Sequence, residues 1–302
     1  MGGRTLERHA DTQTHKTLRT GTEASPLVAT AFINLPRQEA KHPYSLERTV
    51  LVPADYVAFC SNITLETRHR RLSTCAVIQN SRARARGKWK AGVSTEVRPT
   101  GIAQLLQRLS DNARLPAASI RAAAQRSVDP LHCPSAEIIM IWLAKPFLVW
   151  DVITAHPDHH GLFAWVDAGF NVYQMRPFGP PPPPWRTFLP RQGRLAVARE
   201  PGACHNELHG ANRSRCIIAT FLYGSRAAWA AFLPIYTRRL RNLVHLDEGA
   251  PKPLCTEQDL YEDVAAIAPD LFDEFDVSDS WGWVNARPHD PTKSTRGGRG
   301  NG

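Results

Sequence analysis

Leu162-Phe-Ala-Trp-Val-Asp-Ala-Gly-Phe170 is the stretch on which the fold turns. Its first five residues are apolar, aromatic or β-branched, and their number fits one buried strand over 162–166. A single carboxylate, Asp167, closes the run, and Ala168-Gly169 allows the chain to turn sharply beside it. In an α/β sheet ligands collect at the carboxyl ends of the strands. Asp167 therefore stands where a divalent cation or a sugar hydroxyl would be held. An Asp that only caps the following turn would look the same.

Outward from that strand, short apolar runs alternate with longer helical stretches. Pro26 to Ile33 and Tyr56 to Cys60 read as buried strands, and Thr74 to Ile78 as another. Ser135 to His156 is apolar on most faces and long enough for a buried helix, with Ser135 as N-cap. Pro146 must kink that helix or begin a second one. Ala227 to Leu243 has apolar positions at helical spacing and ends in Arg238, Arg239 and Arg241, which suit the negative end of the dipole. Glu257 to Ile267 forms a further amphipathic helix, closed by Pro269, with Thr256 as its cap. Strands alternating with helices predict an α/β fold, a mostly parallel sheet flanked by helices. The expected boundaries are one domain over 26–285, a polar disordered tail over 1–25 and a basic disordered tail over 286–302.

Composition agrees with a packed domain. The chain has 302 residues, 42% hydrophobic and 22% charged, which excludes a wholly disordered or fibrous protein. Its 24 prolines cluster in stiff loops, above all Pro180 to Pro184 before Trp185. The 6 cysteines, at 60, 75, 133, 204, 216 and 255, form no C-x-x-C pair, so buried thiols in a reducing compartment are expected. The longest apolar run, Ile138 to Ala144, stops at Lys145-Pro146, short of the ~20 residues a spanning helix needs. The N-terminal residues hold no apolar stretch of signal-peptide type. A soluble, cytoplasmic protein is the expectation.

The net charge of +9 is unevenly placed. Residues 68–126 carry 13 Lys and Arg against two acids, whereas 247–279 carry 11 acids against Lys252. Such a division can hold an anionic ligand on one side and repel anions from the other.

Taken in order, VATAFINL, YVAFCS, IIMIWLAKPFLV and FAWVDAGF resemble the bacterial HtrL/YibB and WlaTC-type proteins, which are glycosyltransferase-like. The resemblance extends through Ala211 to Gly224, Trp229 to Tyr236 and Glu257-Gln258-Asp259, covering roughly residues 26–275. It implies a GT-A-like (Rossmann-like) fold and a glycosyltransferase moving a sugar from a nucleotide-sugar donor to an acceptor: a glycan, a lipid-linked sugar or a protein. Such enzymes usually carry Asp-x-Asp; here Asp167 matches the first carboxylate and Gly169 stands at the second. On this resemblance Thr30 and Phe32 lie near the nucleotide, and Asp167 and Gly169 border the donor. Asp167 would be the ligand of a Mn²⁺ or Mg²⁺ ion, whose remaining oxygens the diphosphate would have to supply.

Two more features gain meaning from it. Lys145 interrupts an apolar helix, where a lysine needs a partner or must snorkel to the surface; the resemblance makes it a counter-charge for the donor diphosphate. Glu257 and Asp259 suit the positive end of a helix dipole, which explains them structurally. The resemblance makes one of them the base that removes the acceptor's hydroxyl proton.

Other patterns compete. Cys204-His205-Asn-Glu207-Leu-His209 has two histidines four apart, but its Glu is one place too late for the zincin pattern. Five cations surround Trp89 between Arg82 and Lys90, and Arg296-Gly-Gly-Arg299 is a single RGG-like unit. They make a basic nucleic-acid-binding protein acting through 68–126 the alternative. A catalytically inactive relative that retains the fold for interaction is another, since the second carboxylate is missing.

Overall fold

The computed structural model describes residues 26–32, 55–60, 64–66, 71–73, 75, 95–128, 133, 135–167, 185, 188–201, 215–245, 257–276 and 287–288. Along the chain these form β1 (Leu27–Phe32), β2 (Asp55–Cys60), β3 (Thr64–Glu66), β4 (Arg71–Ser73) and β5 (Thr95–Pro99). Three helices follow: α1 (Ile102–Ala113), α2 (Ala117–Arg126) and α3 (Ala136–Ala155). Then come β6 (Leu162–Val166), β7 (Leu195–Pro201), β8 (Arg215–Ser225), α4 (Arg226–Val244), α5 (Glu257–Ile267), β9 (Phe272–Asp276) and β10 (Arg287–Pro288).

The fold is α/β, with one sheet of 8 strands in the order β10-β9-β7-β8-β6-β1-β2-β5. β5, β2, β1 and β6 are parallel neighbours, with Ala29 opposite Val57 on one side and Trp165 on the other. β8 runs antiparallel between β6 and β7, so the sheet is mixed beyond β6. The chain leaves β1 for β2 and β5, passes through α1 to α3, and returns to β6 on the opposite side of β1. That reversal makes the carboxyl ends of β1 and β6 a topological switch point, where open α/β sheets form a ligand crevice.

Local chemistry accounts for the helices. Gly101 N–H donates to Gln104 Oε1 at 2.7 Å at the start of α1, and Leu105, Leu109 and Ala113, four apart, face inward. Ser135 accepts from Ile138 N–H and Ser225 from Ala228 N–H, capping α3 and α4. Pro146 lies inside α3 without ending it, and Pro234 likewise inside α4. α3 is the one described helix long and apolar enough to cross a membrane, yet 67% of its apolar window is buried within the fold. It packs as a core helix.

Strand alternation divides the core. Phe163 and Trp165 join α3, α4 and α5 through Phe147, Trp229, Phe232, Tyr236 and Tyr261. Ala164 and Val166 face the other way, with Trp185, Tyr223 and Phe275. Gly224 permits the tightest approach: a Cβ there would lie 2.7 Å from Leu195 and 2.8 Å from the Arg194 carbonyl.

Three expectations need correction. Cys75 is helical rather than part of a strand at 74–78; the strand is Arg71–Ser73, paired with β3 in a separate hairpin. The cysteines are not thiols among the described residues: Cys60 and Cys75 form a disulfide with their Cα atoms 5.3 Å apart, and Cys133 is disulfide-bonded as well. The sheet places Cys60 at the end of β2, within reach of the chain leaving the hairpin, and spacing in sequence does not reveal that. The sheet also extends past residue 285, because Arg287 and Pro288 pair with Asp276 and Phe275 of β9.

Candidate active site

The chemistry collects where β6 ends. Asp167 follows the last residue of β6, and its N–H donates to the Thr220 carbonyl at 2.8 Å. Thr220 lies in an irregularity of β8: Val197 of β7 pairs with Leu222, but Ala198 pairs with Ile218. Bulges of this kind redirect the backbone beside sites.

Residues two apart on a strand share a face. Trp165 and Asp167 therefore both look towards α3, and the Trp165 indole Nε1–H donates to Asp167 Oδ1 at 2.7 Å. Lys145, halfway along α3, meets the same carboxylate, with Nζ 2.8 Å from Oδ1 and 3.1 Å from Oδ2. From the other side Glu257, the first residue of α5, accepts a second hydrogen bond from Nζ. The Trp165 ring centroid lies 5.7 Å from Nζ.

Exposure ranks the three ionic groups. The Lys145 side chain is 3% exposed, that of Glu257 5%, and that of Asp167 29%. Burial presses the Lys145 pKa down, but the carboxylates of Asp167 and Glu257 outweigh it and raise the value, so the ammonium stays charged. Burial raises the Glu257 pKa, and the negative Asp167 adds to that, against the pull of Lys145. Burial likewise raises the phenols of Tyr236 and Tyr261, with Glu257 contributing. With both carboxylates ionised, one cation between them leaves the cluster one net negative charge, and Asp167 is its exposed member.

This geometry unites Asp167, Lys145 and Glu257, and it alters two expected roles. Lys145 is enclosed between carboxylates, so a diphosphate does not reach its ammonium. Glu257 is equally enclosed, so an acceptor hydroxyl does not reach its oxygens. Asp259 lies two residues further along α5 and is partly buried; positions two apart on a helix do not face the same way. Thr30 is fully buried in β1, and its hydroxyl, like that of Thr220, has no hydrogen-bond partner. Phe32 ends β1, in register with Cys60. Gly169 lies outside the described residues, as do Cys204 to His209, Arg82 to Lys90 and Arg296 to Arg299.

Trp165 is the member of the site that sequence reading passed over. Its place two residues before Asp167 was the available signal. In the described part of the basic region, Arg98 pairs with Glu96 at 2.5 Å and Arg108 with Asp151 at 2.9 Å, while Arg114, Arg121 and Arg126 are exposed. No group of three or more His, Cys, Asp or Glu side chains suited to a metal ion occurs among the described residues.

No protein-family model matches the chain, and no curated protein matches it. Among solved structures, the crystal structure of mouse xyloside xylosyltransferase 1 in its apo form resembles it with a TM-score of 0.38 and 14% identity. That alignment covers 82% of this chain and 83% of the other, a likeness too low to bear on activity.

Proposed function

We propose that this protein is a GT-A-like glycosyltransferase, taking a sugar from a nucleotide-sugar donor to an acceptor, in line with the HtrL/YibB and WlaTC-type resemblance. The observation that carries the reading is the position of Asp167. It stands at the carboxyl edge of the switch point between β1 and β6, held by two donors, with its side chain 29% exposed. The donor nucleotide would lie along the end of β1, by Thr30 and Phe32.

The net charge of the cluster bears on the cation. A diphosphate is anionic, and Lys145 is already neutralised, so Asp167 and the donor repel one another unless a cation lies between them. Asp167 supplies the hard oxygen that Mg²⁺ or Mn²⁺ prefers, and it is the described residue that would hold the ion. When bound, the ion would neutralise the diphosphate of the donor.

The test is thermal melting of the full chain with UDP, GDP, CMP and their sugars, with and without Mn²⁺. A ligand of the native state raises the melting temperature by mass action. Asp167→Asn should abolish the rise with little change in the unliganded melting temperature. A rise that survives Asp167→Asn would refute the site.

A further inference from the structure

We infer that Glu257 and Lys145 are positioning residues, a buried relay from α5 through α3 that fixes the Asp167 carboxylate at the crevice. This rests on the reading of Asp167 as the donor contact, and it departs from the roles sequence suggested for Lys145 and Glu257.

The argument starts from what a lysine can do alone. Its ammonium sits on a flexible four-carbon stem with three donors, and a single carboxylate partner would not set its direction. Here Nζ has three neighbours from two elements: Glu257 at the start of α5, and Asp167 and the Trp165 ring at the end of β6. Trp165 in turn donates to Oδ1 of Asp167. The carboxylate is thus gripped from two directions, by an indole N–H and by an ammonium that is itself gripped.

Glu257 also sets how much charge Asp167 retains. Were Lys145 paired with Asp167 alone, the pair would be neutral and a poor partner for a cation or for hydroxyl donors. A second carboxylate shares the ammonium, so the exposed member keeps net negative charge. An ion pair serving only to dock α5 on α3 would need no third member at the crevice.

Removing Lys145 alone leaves two carboxylates without a counter-charge, and that variant is at risk of not folding. The informative variant is Lys145→Met with Glu257→Gln, which removes the cation and one of the anions together, leaving Asp167 as the one charge of the cluster. Two readouts are taken on the full chain. The first needs no ligand: the Trp165 indole N–H signal in ¹⁵N spectra, assigned through Trp165→Phe, and its protection from solvent exchange. The second is calorimetric affinity for UDP with Mn²⁺.

The double variant should melt near the wild type. Its indole signal should shift and lose protection, and UDP–Mn²⁺ affinity should fall by about tenfold to a hundredfold, the usual cost of removing a partner that orients a binding group.

An unchanged, protected indole in the double variant would overturn the inference, whatever ligand binding shows. Loss of binding in Asp167→Asn together with an unchanged indole in the double variant would sink the relay and leave the donor site standing. A perturbed indole with UDP–Mn²⁺ binding indifferent to Asp167→Asn would support the relay and sink the donor reading.

Discussion

Cys60 and Cys75 offer the cleanest perturbation of the fold. Their disulfide joins the end of β2 to the second residue beyond the β3–β4 hairpin, across a sequence separation of 15. Both are buried, against Ala58 and Val97. In the chain-entropy account, closing a loop of this length removes about 3 kcal/mol of freedom from the unfolded chain. For a domain of this size, roughly 2–4 °C of melting temperature accompany each kcal/mol, so Cys60→Ala/Cys75→Ala should melt about 6–12 °C below the wild type. The double variant is preferable to a reductant, because Cys133 is also disulfide-bonded and would be reduced as well. The assay is calorimetric melting in non-reducing buffer, paired with peptide mapping after alkylation of the unreduced, denatured protein. Mapping should recover the Cys60 and Cys75 peptides as one linked species. Recovery of both as alkylated thiols would refute the pairing, and a variant melting within about 1 °C of the wild type would refute the entropic argument. Disulfides persist in oxidising compartments. Protein made in an oxidising compartment should therefore melt higher than protein made in a reducing cytosol.

Other outcomes follow from single contacts. Gly224→Ala should cost about 1–3 kcal/mol in denaturant titration, since its Cβ would press on Leu195 and on the Arg194 carbonyl, and backbone does not yield cheaply. Lys145→Met alone should cost about 3–5 kcal/mol, because it strands Glu257 and Asp167 as uncompensated carboxylates; chemical denaturation measures it. Asp273 gives an acid limb. Burial raises its pKa, but hydrogen bonds from the Arg191 side chain and backbone N–H outweigh that and hold it below 3.8. A carboxylate depressed in the folded state contributes stability above its unfolded value and loses it as pH falls through the folded value. Asp273→Asn should accordingly flatten the fall in stability below about pH 4, read from denaturant midpoints across pH.

Much of this molecule was legible residue by residue, for reasons that are local. β1, β2 and β6 announced themselves as short apolar runs, because a strand buried on both faces needs apolar side chains at every position. Ser135 marked the start of α3, and the period of α4 and α5 reflects one packed face each. Lys145 stood out because a charge in an apolar setting requires a partner, and Asp167 because it closes an apolar strand; the fold pairs the two and adds Glu257. What local pattern did not contain was the pairing of distant segments. Nothing around Cys60 names Cys75, which only the end of β2 and the hairpin bring together. Nothing in β8 marks it as the antiparallel strand beside β6, since its ladder partners lie in other segments. Glu257 and Asp259 read alike as first-turn acids, yet the packing of α5 against α3 turns Glu257 inward to Lys145 and leaves Asp259 off that axis. Sequence supplied the elements and the charges that needed partners; tertiary structure chose the partners, because hydrogen bonds, ion pairs and disulfides depend on distances in space that spacing along the chain does not set.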